Sequence, residues 1–310
     1  MRQRHLRSCD YGHSRACNNG LSASAWTGAV QAIGRKRSCK AVYTLTRPAF
    51  MLAPVGRHMF GFAAIMLGVS QFVWHGFATN WFPVPAEFPL HQPLVYLTAG
   101  MLALGGLAMF SHRSSRAGLL LIVAVYMFAE VFWARRIIHF PTLFGTWAGF
   151  AEQFAPVVGA ALCYLSLGTL ADAGVVGARI GAERWHWARV AGETLFGLCL
   201  ISMGIVHLDA LEQTADMVPS WLPLGGPVWA VATGIAFLVF GLAIVVRIRG
   251  RLAALLATTM LCSFALLVWL PRILAHPERQ NSWGGTAITL AVAGGAWMVA
   301  DTLARRRVVD

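Results

Sequence analysis

The chain has 310 residues, of which 57% are hydrophobic and only 12% are charged, whereas a soluble domain usually carries about 25% charged residues. Its formal net charge is +12, but the basic residues are spread between long apolar runs and are not gathered on one domain. Composition and charge therefore exclude an ordinary soluble domain and argue against a nucleic-acid partner, and they indicate a protein that crosses a lipid bilayer several times.

The N-terminal segment, residues 1–56, is rich in Arg and Lys and has a single acidic residue, Asp10. It contains no apolar run of spanning length, so it does not have the pattern of a secretory signal. We predict a basic, disordered cytoplasmic tail. Met51 offers an alternative start, which leaves open whether residues 1–50 are translated.

Eight apolar segments follow, each close to the roughly 20 residues that cross about 30 Å of hydrocarbon. Lipid offers no partner to free backbone groups, and no segment alternates in polarity as a barrel strand does, so we predict that all eight are helices. They lie at about residues 58–78, 93–110, 117–138, 148–170, 189–208, 227–246, 252–270 and 283–303.

A set of residues recurs 136 positions later in the chain. The recurring pairs include Trp133 and Trp269, Arg136 and Arg272, Pro141 and Pro277, Trp147 and Trp283, Gly149 and Gly285, and Gly159 and Gly295. We therefore predict an all-α membrane fold of eight transmembrane helices in two four-helix bundles. The first bundle covers residues 57–170, a cytoplasmic linker covers 171–187, the second bundle covers 188–304, and a basic tail covers 305–310. An even number of spans per unit makes these parallel repeats.

The distribution of Lys and Arg predicts the orientation. These residues are concentrated in the N-terminal tail, in the loops after the second, fourth and sixth segments, and at the C-terminal end. The opposite side carries only Arg135, Arg136, Arg272 and Arg279. Because loops with excess positive charge stay in the cytoplasm, both termini are predicted to be cytoplasmic, in an inner-membrane protein.

The second unit carries motifs of a known family. Its first segment contains Gly204-Ile205-Val206-His207, the following loop reads Val218-Pro219-Ser220-Trp221-Leu222-Pro223, and the third segment ends in Leu270-Pro271-Arg272. This unit resembles the DoxX-like membrane family, a four-helix unit with a Gly-x-x-His first helix and a V-P-x-W-L-P loop. The first unit matches in part, since Gln71 stands where His207 does. The resemblance implies an association with membrane redox systems, including quinone-linked ones.

Glu130 is the most unusual residue of the apolar segments. It lies 14 positions after Arg116, hence about 21 Å into a hydrocarbon core of about 30 Å. A carboxylate at that depth is costly, so it should face the bundle interior and be either paired or protonated.

Other polar residues of the first unit are predicted at similar height, with Gln71 and His75 on one face of their helix. The predicted outward-facing pocket holds Gln71, His75, Glu130, Arg136, His139, Glu152 and Gln153, and the matching polar positions of the second unit are His207 and Arg272. Such a pocket could bind an anionic or quinone-like head group or relay protons. The alternative is that Glu130 and Arg135 or Arg136 neutralise each other and only hold the helices together.

Three functions stay open at the level of the sequence. The leading one is a DoxX-like subunit of an envelope redox system that is non-catalytic or interacts with quinone, with other membrane redox subunits as partners. The alternatives are a binder or carrier of a lipid or small amphiphile in the cleft between the repeats, and a structural scaffold. The sequence shows no nucleotide-binding loop, haem ligand pair, cysteine centre or metal-ligand spacing, so we expect no metal, no covalently bound cofactor and no catalysis by the chain alone.

Overall fold

The computed structural model describes residues 55–168 and 178–306, and within these ranges the chain is helical and contains no β-strand. Its elements are α1 (residues 55–74), α2 (His91–Ala108), α3 (Ser115–His139), α4 (Phe144–Gly168), α5 (Ala178–Asp209), α6 (Leu211–Ala215), α7 (Gly226–Val245), α8 (Gly250–Phe264), a π-helical turn (Ala265–Trp269), α9 (Leu270–Ala275) and α10 (Gln280–Arg306).

Six helical stretches are long and apolar enough to cross a membrane: Ser115–His139, Phe144–Leu167, His186–Asp209, Gly226–Val245, Gly250–Ala275 and Gln280–Ala304. The chain is therefore an all-helical protein with six candidate membrane spans among its described residues. Helices α1 and α2 lie where the first two spans were predicted but are not among the six. Arg57, His58 and Gln71 in α1, and His91 and Gln92 at the start of α2, lower the mean hydropathy of those helices.

Several predicted boundaries fall at the limits of the described residues. Nearly all of the predicted tail of residues 1–56, including Met51, lies outside them, as do residues 171–177 of the linker and residues 307–310. The rest of the linker is not a loop, because α5 already begins at Ala178. Residues 178–187 and the fifth apolar segment thus belong to one continuous helix.

Helices α8 and α9 form one continuous helical stretch whose winding changes near its C-terminal end. The N–H of Leu270 donates to the carbonyl of Ala265, a bond one residue wider than in an α-helix. Pro271 follows directly, and a proline inside a regular helix clashes with the carbonyl four residues before it. The π-helical turn gives that ring the room it needs.

Helix α10 is the most buried of the six candidate spans, since 78% of its most apolar stretch is buried inside the protein. Its glycines allow two other helices to come close. The backbone of α1 lies near Gly294, where an added Cβ atom would be 2.9 Å from the carbonyl oxygen of Gly56. Helix α4 crosses at the next residue, where a Cβ atom added to Gly159 would be 2.5 Å from the Cα atom of Gly295. Such approaches are typical of glycine in membrane helix packing.

Hydrogen bonds tie the end of α1 to the loop between α9 and α10. The Trp74 indole N–H donates to the Glu278 carbonyl oxygen at 2.8 Å, and the Gln280 amide donates to the Gly76 carbonyl oxygen at 2.8 Å. These two hydrogen bonds therefore hold the C-terminal end of α1 next to the N-terminal end of α10. In the same loop, the backbone N–H of Glu278 and the nearby His276 side chain lower the pKa of the Glu278 carboxyl.

Candidate functional site

An open pocket of about 300 Å³ lies at the C-terminal end of α3. Its wall consists of Thr79, Pro83, Val84, Pro85, Phe132, Arg135, Arg136, His139 and Phe140. The last two turns of α3 supply the charged and aromatic side, and the loop after α1 supplies the apolar side. No carboxylate is among these lining residues. The pocket thus combines hydrogen-bond donors with apolar walls.

Trp133 of α3 contacts both the loop after α1 and one of the pocket arginines. The Trp133 indole N–H donates to the Trp81 carbonyl oxygen at 2.9 Å, and both of these side chains are buried. The guanidinium of Arg136 lies 5.3 Å from the centre of the Trp133 ring, a cation–π arrangement. Trp133 therefore positions both the loop and one of the two pocket arginines.

Glu130 does not belong to this pocket. Its side chain is only 3% exposed, so it faces the bundle interior as predicted. Neither carboxylate oxygen has a hydrogen-bond partner within the described residues, and no ion pair joins Glu130 to an arginine there. The alternative in which Arg135 or Arg136 neutralises Glu130 is therefore wrong for this geometry, since both arginines are exposed at the pocket.

Gln153 and Gln71 are fully buried. Gln153 has no partner for its amide oxygen or nitrogen among the described residues. Gln71 accepts a hydrogen bond from the Thr98 hydroxyl at 2.9 Å, while its amide nitrogen has no such partner. Glu152, next to Gln153, is half-buried and interacts with the Trp81 side chain.

The prediction that His75 shares a face with Gln71 is wrong. Helix α1 ends at residue 74, and His75 takes the left-handed conformation with φ 53°. Its imidazole is exposed and lies 2.9 Å from the Tyr96 hydroxyl, and its carbonyl oxygen accepts a hydrogen bond from Gln92 at 3.2 Å. The backbone turn thus directs His75 to the edge of α2.

The polar residues predicted in the second unit make local contacts. Nδ1 of His207 donates to the Met203 carbonyl oxygen at 2.7 Å, and its ring lies 5.0 Å from that of Phe237. Arg272 donates to the Asp216 carbonyl oxygen at 3.2 Å and lies over the Trp269 ring at 5.7 Å. These contacts account for both side chains as parts of the packing.

The predicted residues of the first unit therefore do not form one pocket. Arg136 and His139 line the surface pocket, Gln71, Glu130 and Gln153 are buried, Glu152 is half-buried, and His75 is exposed just after the end of α1. Sequence reasoning placed Arg135 only as a neutralising partner and missed the apolar wall of the pocket. The run Pro83-Val84-Pro85 in the loop after α1 is the sequence signal that could have indicated part of that wall.

No protein-family model, no curated protein and no solved structure matches this chain. Within the described ranges, no group of three His, Cys, Asp or Glu side chains is arranged to hold a metal ion. The function of the chain is therefore inferred from its own residues and their geometry.

Proposed function

We propose that the chain is a DoxX-like inner-membrane protein of two tandem four-helix units, with eight spans and cytoplasmic termini. Equivalent contacts in the two halves support the repeat. Trp133 covers Gly149 as Trp269 covers Gly285, and each of these tryptophans carries an arginine over its ring. Gly159 also meets its own counterpart, Gly295, as residues near a twofold axis between parallel repeats do.

Accessibility of single cysteines tests the number of spans. In a cysteine-free variant, Glu87→Cys lies in the loop between α1 and α2, His112→Cys in the next loop, and Glu278→Cys in the loop before α10. With eight spans, an impermeant maleimide labels Glu87→Cys and Glu278→Cys from outside the cell, and labels His112→Cys only after permeabilisation. Labelling of Glu87→Cys together with His112→Cys from the cytoplasmic side would contradict eight spans and favour six.

For the pocket, we propose that it binds the polar head of an amphiphile, with a membrane quinone of an envelope redox system as the leading ligand. The pocket itself is the observation that carries this proposal. Arg135, Arg136 and His139 present N–H donors to carbonyl oxygens, while Phe132 and Phe140 provide aromatic walls. The likeness of the second unit to a family associated with membrane redox systems points to the same ligand class.

A second ligand class is an anionic lipid. Two guanidinium groups without a carboxylate among the lining residues favour a phosphate head group, which arginine binds through charge-assisted hydrogen bonds. The chain would then be a lipid binder or carrier instead of a redox subunit. The same experiment distinguishes the two classes.

We expect the wild-type protein to retain quinone when it is purified in mild detergent. The double variant Arg135→Gln/Arg136→Gln should retain about tenfold less quinone per protein, or less still. Each hydrogen bond to a charged donor contributes roughly 1.5–3 kcal/mol, and about 1.4 kcal/mol is a tenfold change in affinity. Extraction followed by mass spectrometry measures quinone and lipid together.

The matched control is Arg247→Gln/Arg249→Gln, an exposed arginine pair between α7 and α8, which should retain quinone as the wild type does. Selective loss of an anionic lipid from the pocket variant, with no quinone in either sample, would favour the lipid binder. Equal ligand content in the wild type and the pocket variant would exclude the pocket as the binding site.

A further inference from the structure

Two buried polar side chains lie on neighbouring helices, Glu130 on α3 and Gln153 on α4. Glu130 is 3% exposed and Gln153 is fully buried. Among the described residues, neither carboxylate oxygen of Glu130 has a hydrogen-bond partner, nor does the amide oxygen or nitrogen of Gln153. Each such group is costly to bury without a partner.

The helix register brings these two side chains to the same level. Trp133 of α3 packs directly on Gly149 of α4. Glu130 lies three residues before Trp133 and Gln153 four residues after Gly149, so each shares the face of the residue in contact. The two helices run in opposite directions, and a rise of 1.5 Å per residue places both side chains about 4.5–6 Å below that contact. The register therefore places both residues near the contacting faces of α3 and α4, at about the same height.

Among the residues that the structure describes, Glu130 has no hydrogen-bonded arginine, lysine or histidine partner. Cys199 on α5 interacts electrostatically with Glu130, Tyr126 lies four residues before it on α3, and Glu152 on α4 interacts with Tyr126. None of these can neutralise a carboxylate. An ionised Glu130 would thus be an isolated charge in the apolar part of the bundle, where ionisable groups are either paired or neutral.

The positions that correspond to Glu130 and Gln153 in the second unit carry different residues. Leu266 occupies the position of Glu130, and Thr289 that of Gln153. The hydroxyl oxygen of Thr289 accepts a hydrogen bond from the Trp269 indole at 3.0 Å. The polar pair is therefore a property of the first unit and is not required by helix packing.

We infer that Glu130 is a proton-binding group and that its protonated carboxyl pairs with the amide of Gln153. A proton taken from water converts the carboxylate into a neutral acid with one O–H donor. That O–H donates to the amide oxygen of Gln153, and the amide N–H donates to the other oxygen of Glu130, directly after a side-chain rotation or through one bridging water. All four atoms are then satisfied without a charge. The site stores one proton beneath the surface pocket, whatever ligand that pocket binds.

Infrared spectra of the full-length protein in lipid nanodiscs, recorded over a range of pH, test this inference. We expect a carbonyl band of a protonated carboxylic acid at neutral pH. Glu130→Gln, a nearly isosteric change, should remove this band, whereas Glu152→Gln should leave it. Gln153→Leu should shift its frequency, because the carbonyl loses its amide partner. Helical content by circular dichroism identifies variants that do not fold.

The proton site is overturned if the wild-type band is absent at neutral pH or if Glu130→Gln leaves it unchanged. The pairing with Gln153 is overturned if Gln153→Leu leaves its frequency unchanged. If Glu130→Gln does not fold, Glu130→Asp replaces it. A shift of the band in that variant supports the assignment, and an unshifted band in a folded variant contradicts it. Quinone or lipid content of the pocket does not enter these readouts.

Discussion

Gly159→Leu is expected to destabilise the protein by roughly 3 kcal/mol or more, as overpacking of a closely packed interior does. A Cβ atom at residue 159 would lie 2.5 Å from the Cα atom of Gly295 and 3.4 Å from its carbonyl carbon. The obstacle is backbone, so no side-chain rotation relieves it, and α4 and α10 must move apart. Since α10 is the most buried of the six candidate spans, its displacement affects most of the core.

The matched control is Gly100→Leu in α2. A Cβ atom there would meet no atom within 4 Å, and leucine is a better helix former than glycine. This variant should be as stable as the wild type or slightly more so. Unfolding of the purified proteins by sodium dodecyl sulfate in mixed micelles measures both free energies. If Gly159→Leu were as stable as Gly100→Leu, α4 and α10 would not cross at Gly159 and Gly295.

The hydropathy and length of the apolar segments were enough to predict most of the helices. The third apolar segment was predicted at residues 117–138, and α3 covers Ser115–His139. The helix ends were harder to predict, because hydropathy does not report backbone conformation. Nothing in the residues around His75 indicates its left-handed φ, and that turn separates His75 from Gln71.

For the candidate site, the sequence predicted how deep a residue lies along its helix but not which side chains surround it. The rise per residue placed Glu130 deep in the apolar region, and its burial is confirmed. Whether Arg135 and Arg136 reach down to it depends on side-chain direction at the end of α3, which sequence spacing leaves undetermined. Both arginines point instead to a pocket whose apolar wall comes from Pro83, Val84 and Pro85. That loop is positioned by Trp133, through a contact that joins residues distant in sequence.

Trp133→Ala and Trp269→Ala are each expected to cost roughly 3–5 kcal/mol of stability, the range for removing a buried Trp or Phe side chain. Both rings are buried, and each fills the space over a glycine of the neighbouring helix. Trp133→Ala also leaves the Trp81 carbonyl oxygen without its donor, and Trp269→Ala leaves the Thr289 hydroxyl oxygen without its donor. The same unfolding assay in mixed micelles measures both losses.

Trp147→Ala is the control, because this side chain is 45% exposed and its indole donates a local hydrogen bond to the Pro141 carbonyl oxygen. Its loss should cost about 1 kcal/mol. The comparison also bears on the proposed repeat. Two tryptophans 136 positions apart that each pack over a glycine of the neighbouring helix should have similar costs, although Trp133 also lies next to Phe132 in the wall of the surface pocket. A large loss at Trp133 with a negligible one at Trp269 would mean that the first contact is specific to the pocket and is not part of a duplicated core.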